Sequence, residues 1–200
     1  MHDAPFARRL DAQHARRVRW RNGDGWTREI HAEQAGPEEA WSWRLSIADI
    51  DRAAAFSRFE GVERELMLLS GDGLQLEFED AQTIDLAPPH ARHRFGGARP
   101  LRGVPAGPGV SALNLMWRHD RVAMSTWHRP LVGTMVVFVD PGDCWIVHIL
   151  AGGVRVGGMD GGPAGRGDTL LLRAGSGRER HVLEGGGELL LARSSPVEGS

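Results

Sequence analysis

The stretch Trp41-Ser42-Trp43-Arg44-Leu45-Ser46-Ile47 sets apolar and polar side chains in strict alternation. A two-residue period belongs to a β-strand, so Trp41, Trp43, Leu45 and Ile47 share one sheet face and Ser42, Arg44 and Ser46 the other. Outward from it, Leu66–Ser70, the turn Gly71-Asp72-Gly73 and Leu74-Gln75-Leu76-Glu77-Phe78 predict a hairpin, with glycine supplying the positive φ of a tight turn. Trp145–Leu150, Ala151-Gly152-Gly153 and Val154-Arg155-Val156 predict a second one, and each is followed by a further strand, Thr83–Leu86 and Thr169–Leu172. Glu188–Ala192 reads as the final strand. With 27 Gly and 11 Pro punctuating short apolar runs, the chain reads as all-β with little helix. Asp49–Phe56 is expected to make a helical turn or two, and Leu10–Ala15 is ambiguous. The weak repeat predicts two halves of short antiparallel strands, 1–108 and 109–200, joined through Pro100–Gly109 and free to exchange strands.

Composition excludes several chemistries. All 24 basic residues are Arg, so Schiff-base catalysis and a phosphate-binding P-loop are impossible. Cys144 is the single cysteine, which rules out an internal disulfide and a multi-cysteine zinc site. The net charge of −2, with both signs interspersed, gives no footprint for nucleic acid, and the run Arg16, Arg17, Arg19, Arg21 reads as a solvated strand face. The longest apolar runs, such as Met135–Val139, are far too short to span a membrane, and Met1–Leu10 lacks the apolar core of a signal peptide. A cytoplasmic chain without membrane or nucleic-acid partners is expected, and homodimerisation through exposed strand edges stays open.

Two arginines stand out as candidate binding residues. Arg44 shares its face with Ser42 and Ser46; if that face is interior, a guanidinium beside hydroxyls suits a carboxylate, which it can hold with two parallel hydrogen bonds. The alternatives are a surface arginine or an ion pair with Glu29. Arg64 is weighed in the same way, since a guanidinium inside a β-barrel is costly without a partner. Asn114, within Leu113-Asn114-Leu115-Met116-Trp117, must find hydrogen-bond partners if buried. Thr27 and Glu29 face one way on their strand and Arg28 the other, so the three cannot line one cavity. Asn22 is either a turn residue before Gly23 or a site residue. Trp20, Trp26, Trp41 and Trp43 divide between core and pocket wall. No nucleophile with a His and acid partner is evident, and Gly175-Ser176-Gly177 lacks the spacing of a nucleophile elbow.

The C-terminal half, with its Gly152-Gly153 turn, Gly167-Asp168-Thr169 and Gly175, resembles a cupin. Metal-binding cupins carry two His and a Glu in a first motif and one more His in a second. Laid on Gly152, the first motif puts Trp145 at the Glu position, and laid on Gly167 and Gly175 the second puts Arg178 at the His position. Anchored on Gly71, the N-terminal half has Arg64 at the Glu position and Ser57, Arg58, Phe59 and Glu60 across the His positions, with only His93 near a ligand place. A fixed guanidinium charge repels a cation, and His90 with His93 alone are too few ligands, so no metal and no cofactor are expected.

Ordered motifs along the chain then resemble the HutD/Ves family: Trp20-Arg21-Asn22-Gly23-Asp24-Gly25-Trp26-Thr27, Trp41 to Ala48, Phe56-Ser57-Arg58-Phe59-Glu60-Gly61, Arg94-Phe95-Gly96-Gly97 and Leu113-Asn114-Leu115-Met116. The resemblance spans Arg8 to Ala192 and implies a bicupin associated with histidine utilisation, with no reaction established for the family. This chain departs from its pattern at Asp24, at Ser111-Ala112 and at Gly97. Combined with the residues, it predicts a metal-independent protein that senses or buffers a small carboxylate metabolite such as urocanate or formylglutamate. The expected site comprises Arg44, Arg64, Asn114, Ser46, Thr27, Glu29, Asn22, Trp43, Met116 and His93. The competing readings are an isomerase or hydrolase using Glu29 as general base with His93 assisting, and a partner-binding protein with a filled barrel.

Overall fold

The computed structural model describes residues 6–20, 25–34, 41–159 and 162–197. They form sixteen strands and one helical element, the 3-10 turn Ala12–His14, so the chain is all-β and no helix among them is long and apolar enough to cross a membrane. The chain packs as two units, Ala15–Arg121 and Met1–His14 together with Val122–Ser200. The division therefore follows Arg121 rather than residue 108. Pro100–Gly109 is not a linker, because Leu101–Pro105 is itself a strand paired with Leu74–Phe78.

In the unit Ala15–Arg121 a six-stranded antiparallel sheet runs in the order β2 (Arg16–Arg19), β3 (Gly25–Gln34), β4 (Trp41–Ile50), β11 (Val110–Arg118), β6 (Val62–Ser70) and β9 (Arg92–Gly96). A four-stranded sheet runs β5 (Ala54–Ala55), β10 (Leu101–Pro105), β7 (Leu74–Phe78) and β8 (Thr83–Leu86). The hairpin expected at Gly71–Gly73 is not formed. β6 pairs with β11 and β9, and β7 with β10 and β8, so this turn carries the chain from one sheet to the other. Leu66, Leu68, Leu74 and Leu76 thus meet in one core instead of lying side by side on one sheet. The corner is tight: Gly71 has φ +91°, and a Cβ there would lie 2.6 Å from Val110 Cγ2. The helix expected over Asp49–Phe56 is also absent. β4 continues through Ile50, which is fully buried between its partners Gly25 and Val110, and cross-strand pairing overrides the local capping signal.

In the other unit one sheet runs β1 (Phe6–Leu10), β15 (Thr169–Arg173), β13 (Cys144–Val156), β16 (Glu179–Pro196) and β12 (Val122–Val139), with β14 (Ala164–Gly165) against β13. The second expected hairpin is one continuous strand, β13. Gly152 and Gly153 do not reverse the chain. They lie opposite Gly187 and Gly186 of β16, and at the Gly152–Gly187 pair the strands run too close for side chains. β16 pairs with β12 from Pro196↔Val122 to Glu179↔Val139, and Val139, Val147, Ile149, Leu170, Leu172 and Leu189 fill the core behind it. Each such side chain contributes roughly 1.5–3 kcal/mol by leaving water.

Candidate functional site

Register assembles the site in rows across the six-stranded sheet. Glu29 on β3 stands opposite Ser46 on β4, Ser46 opposite Asn114 on β11, and Asn114 opposite Leu66 on β6. In the neighbouring row Arg44 stands opposite Met116, and Met116 opposite Arg64. Thr27 pairs with Ala48, and Ala48 with Ala112. Because opposed residues share a face, this face is apolar at one end, where Ile50, Val110, Leu68 and Ala112 belong to the core, and turns polar towards the other. There a cavity of about 540 Å³ opens.

Of the expected residues, Arg44, Arg64, Asn114, Ser46, Thr27 and Met116 line this cavity. Four others do not. Trp43 lies on the opposite face of β4, 1% exposed with its ring 4.9 Å from that of His31, as alternation with Arg44 requires. The tryptophan that walls the cavity is Trp20, whose indole Nε1 donates to Thr27 Oγ1 at 2.8 Å. Glu29 sits beside the cavity and pairs with Arg44 at 2.7 Å. His93 packs between Phe78 and Phe95, both with ring centroids 6.2 Å away, and burial with the nearby Arg99 lowers its pKa. Asn22 lies outside the described residues. Arg28 faces away from the cavity to Asp49, 3.1 Å distant, while Thr27 faces in.

Sequence reading missed the segment between β5 and β6. Phe56, Ser57, Arg58 and Phe59 all line the cavity, in a loop pinned by Phe56 N–H donating to Leu101 O, Phe59 N–H to Gly97 O and Arg58 Nε to Ala98 O. Its signal was two phenylalanines bracketing Ser-Arg, a pattern without the periodicity of any element. Gly97 lets the loop approach: a Cβ there would lie 2.8 Å from Val62 O and 3.0 Å from Phe59 O.

Arg64 is the unusual group. It is 4% exposed, and no carboxylate pairs with it among the described residues. Its Nη1 donates to Ser57 O at 3.1 Å, its Nε lies 3.4 Å from Asn114 Oδ1, and the rings of Phe56, Phe59 and Phe95 sit 5.3–5.8 Å from Cζ. Aromatic faces and neutral carbonyls soften the charge without neutralising it. Burial first, and the like charge of Arg44 second, lower its pKa from the ordinary guanidinium range to about 10. Among the described residues, Ser46 Oγ beside it is buried with no hydrogen-bond partner, and Asn114 Nδ2 reaches only Met116 Sδ at 3.3 Å, a soft acceptor. Arg44 Nε lies 2.7 Å from Glu29 Oε2 but makes no well-aligned hydrogen bond among the described residues, so that contact is one of charge rather than of hydrogen bonding. The cavity therefore offers a desolvated cation, an idle hydroxyl and an under-used amide around one space, which is the arrangement that takes up an anion with oxygen acceptors. Among the described residues no three His, Cys, Asp or Glu side chains converge as a metal site.

Comparisons with known proteins agree with this architecture. The HutD family model matches residues 12–191. Protein Ves of Citrobacter koseri is 34% identical over 139 residues, 69% of this chain and 70% of that protein. An uncharacterized 21.2 kDa protein in the hutC 3′ region of Pseudomonas putida is 34% identical over 112 residues, so the match spans 56% of this chain and 58% of that relative. The structure of HutD from Pseudomonas fluorescens SBW25 superposes with a TM-score of 0.81 at 24% identity, covering 96% of this chain and all of that one. The family match covers nearly the whole chain and agrees with the two-unit β architecture: this protein belongs to the HutD family.

Proposed function

We propose that this protein binds a small carboxylate-bearing metabolite without a metal and acts as a sensor or regulator in histidine utilisation. The observation that carries the reading is Arg64, a buried guanidinium with no acid partner among the described residues, facing a cavity with an unsatisfied hydroxyl. Burying an unpaired charge is expensive, and a ligand carboxylate would offset that cost by pairing with it. Ser46 and Asn114 would supply the neutral hydrogen bonds, and Trp20, Phe56 and Phe59 an apolar wall. The pathway assignment rests on family membership and on the hutC neighbourhood of the Pseudomonas putida relative. Urocanate and formylglutamate are the candidates of matching size and charge. The general-base alternative finds no support, because neither Glu29 nor His93 lines the cavity.

A thermal-shift titration against histidine, urocanate, formiminoglutamate, formylglutamate, glutamate and formate, with and without chelator, tests the reading. Formate is the smallest carboxylate, and the Pseudomonas fluorescens HutD structure was obtained in a formate condition. A ligand at a hundred times its Kd adds about 2.7 kcal/mol of stability, a resolvable shift. The expected result is a dose-dependent rise with one acid, unaffected by chelator. A flat response across the series contradicts the proposal.

The same site predicts a pH dependence. Carboxylate binding needs a protonated Arg64, so affinity should hold from neutral pH upward and fall as pH rises through about 10. The unliganded protein should behave in the opposite sense. A cation whose pKa is lowered on folding binds its proton more weakly in the folded state, so Arg64 opposes folding below about pH 10 and that penalty is lifted above it. Calorimetric titration at pH 8 and pH 10.5 checks the first effect; equal affinity at both would remove Arg64 from the binding step.

A further inference from the structure

We infer that the uncharged half of β12, Leu131–Val139, is an interface at which two copies of this chain pair edge to edge, antiparallel, about a twofold axis. The inference is independent of what the cavity binds. β12 ends its sheet: among the described residues it pairs with β16 on one side and with no strand on the other. Its outward backbone groups are open to a further strand, a hazard that natural sheets suppress with charge, proline or short edges. The other strands that end a sheet carry such protection. β1 has Arg8 and Arg9, β2 has Arg16, Arg17 and Arg19, and β9 has Arg92 and Arg94, while β8 is four residues long with Asp85 and β5 has only two residues. Leu131–Val139, Leu-Val-Gly-Thr-Met-Val-Val-Phe-Val, has neither a charge nor a proline.

The side chains of this stretch repeat the anomaly of its backbone. Alternation turns Leu131, Val137 and Val139 into the core and leaves Val132, Thr134, Val136 and Phe138 on the outer face. Val132 is 88%, Val136 43% and Phe138 49% exposed, and the only other large apolar side chain so exposed among the described residues is Val18. Gly186 stands opposite Val132 on β16, so the adjoining strand brings no side chain to cover it. Arg178 lies over the Phe138 ring at 4.9 Å and still leaves that side chain half in water. One exposed apolar residue is ordinary; three on one face of a bare edge mark a contact surface.

Charge selects a second copy as the occupant. Antiparallel self-pairing brings the residues beside the axis against their own counterparts, so a charge there would repel itself, and this stretch has none. Faces match only when the axis passes through a residue, since a shift by one would set outer side chains against inner ones. With the axis on Met135, the midpoint, Leu131 meets the partner's Val139, Val132 meets the partner's Phe138 and Thr134 meets the partner's Val136. The exposed charges that bound the stretch, Arg129 before it and Asp140 after it, then come together with opposite sign at both ends.

Sedimentation equilibrium of the whole protein from about 1 µM to about 500 µM tests this. The expected result is a reversible rise from the monomer mass of 21.9 kDa towards twice that value. Val136→Glu should weaken association about tenfold or more, because it sets two carboxylates diagonally across the axis, about 7–8 Å apart in a desolvated strand pair. Adding Thr134→Lys to Val136→Glu should recover the dimer, since each new lysine then faces the partner's new glutamate. Val132→Glu alters a side chain already in water and covers the case in which Val136→Glu fails to fold; circular dichroism and melting establish that the variants used are folded. A wild-type protein that keeps the monomer mass across the series, or a dimer undiminished in folded Val136→Glu or Val132→Glu, would overturn the inference. Failure of the double variant to recover would overturn the register centred on Met135.

Discussion

Arg64→Met should abolish carboxylate binding while the protein stays folded and melts at or above the wild-type temperature. Methionine fills much of the volume of arginine and brings no charge. Removing the guanidinium removes the charge-assisted contact that a bound carboxylate would make, a loss of about 2–5 kcal/mol for a buried pair. On the stability side the change acts in the other direction. A guanidinium pKa pulled down to about 10 corresponds to a penalty on the order of 3 kcal/mol for keeping the charge in the fold. The three aromatic faces at 5.3–5.8 Å accept a thioether readily, and Ser57 O loses one donor and Asn114 Oδ1 two, which offsets part of the gain. A structural arginine would show the reverse pattern, a protein less stable and no less able to bind. Melting with and without the best acid from the series separates the two, and a destabilised variant with undiminished affinity would refute the assignment.

The largest effect on stability is expected at the glycines of the C-terminal unit. Gly152 has φ +79°, and a Cβ there would fall 1.9 Å from Gly186 O; Gly187 has φ +140° with Ala151 O at 1.9 Å, and Gly185 φ +149° with Gly153 O at 2.1 Å. Each clash is with backbone, which no side-chain rotation relieves, and each φ is one that L-residues rarely adopt. Gly152→Ala and Gly187→Ala should therefore each cost at least about 4 kcal/mol and yield insoluble or unfolded protein. Gly186, in the same run, has ordinary φ and its nearest neighbour is Leu131 O at 3.7 Å. Gly186→Ala should stay within about 1 kcal/mol of wild type, because its nearest contact leaves room for a methyl group and alanine narrows the unfolded ensemble. Urea unfolding of the soluble variants gives the comparison; a stable Gly187→Ala would mean that β13 and β16 are not so closely apposed.

The strands themselves were legible in the sequence, and the way they pair was less so. Alternation in Trp41–Ile47 placed Arg44 and Ser46 on one face, and β4 carries both into the cavity. The same alternation excludes Trp43 from that face. Local glycine chemistry, however, says only that a chain can turn or flatten, not which strand it meets next. Gly71–Gly73 moves the chain between sheets, and Gly152-Gly153 lies inside a strand whose partner glycines are more than thirty residues away, at 185–187. No short-range signal distinguishes these from a hairpin. The cavity wall was read in part for a related reason. Arg44, Ser46 and Thr27 sit on regular strands where period two fixes the facing side, while Phe56, Ser57, Arg58 and Phe59 are positioned by loop contacts to Gly97, Ala98 and Leu101. His93 follows the strand rule and faces inward opposite Leu66, but at that edge the interior is closed by Phe78 and Phe95.

The account stands on Arg64 being a seat for a ligand carboxylate. A crystal structure of the protein grown with the acid that gives the largest thermal shift tests this most directly. The predicted result is a carboxylate inside the cavity with oxygens at hydrogen-bond distance from the Arg64 guanidinium, and Ser46 Oγ donating to the same molecule. The acid bound away from Arg64, or Arg64 paired with a carboxylate of the protein itself, would contradict it.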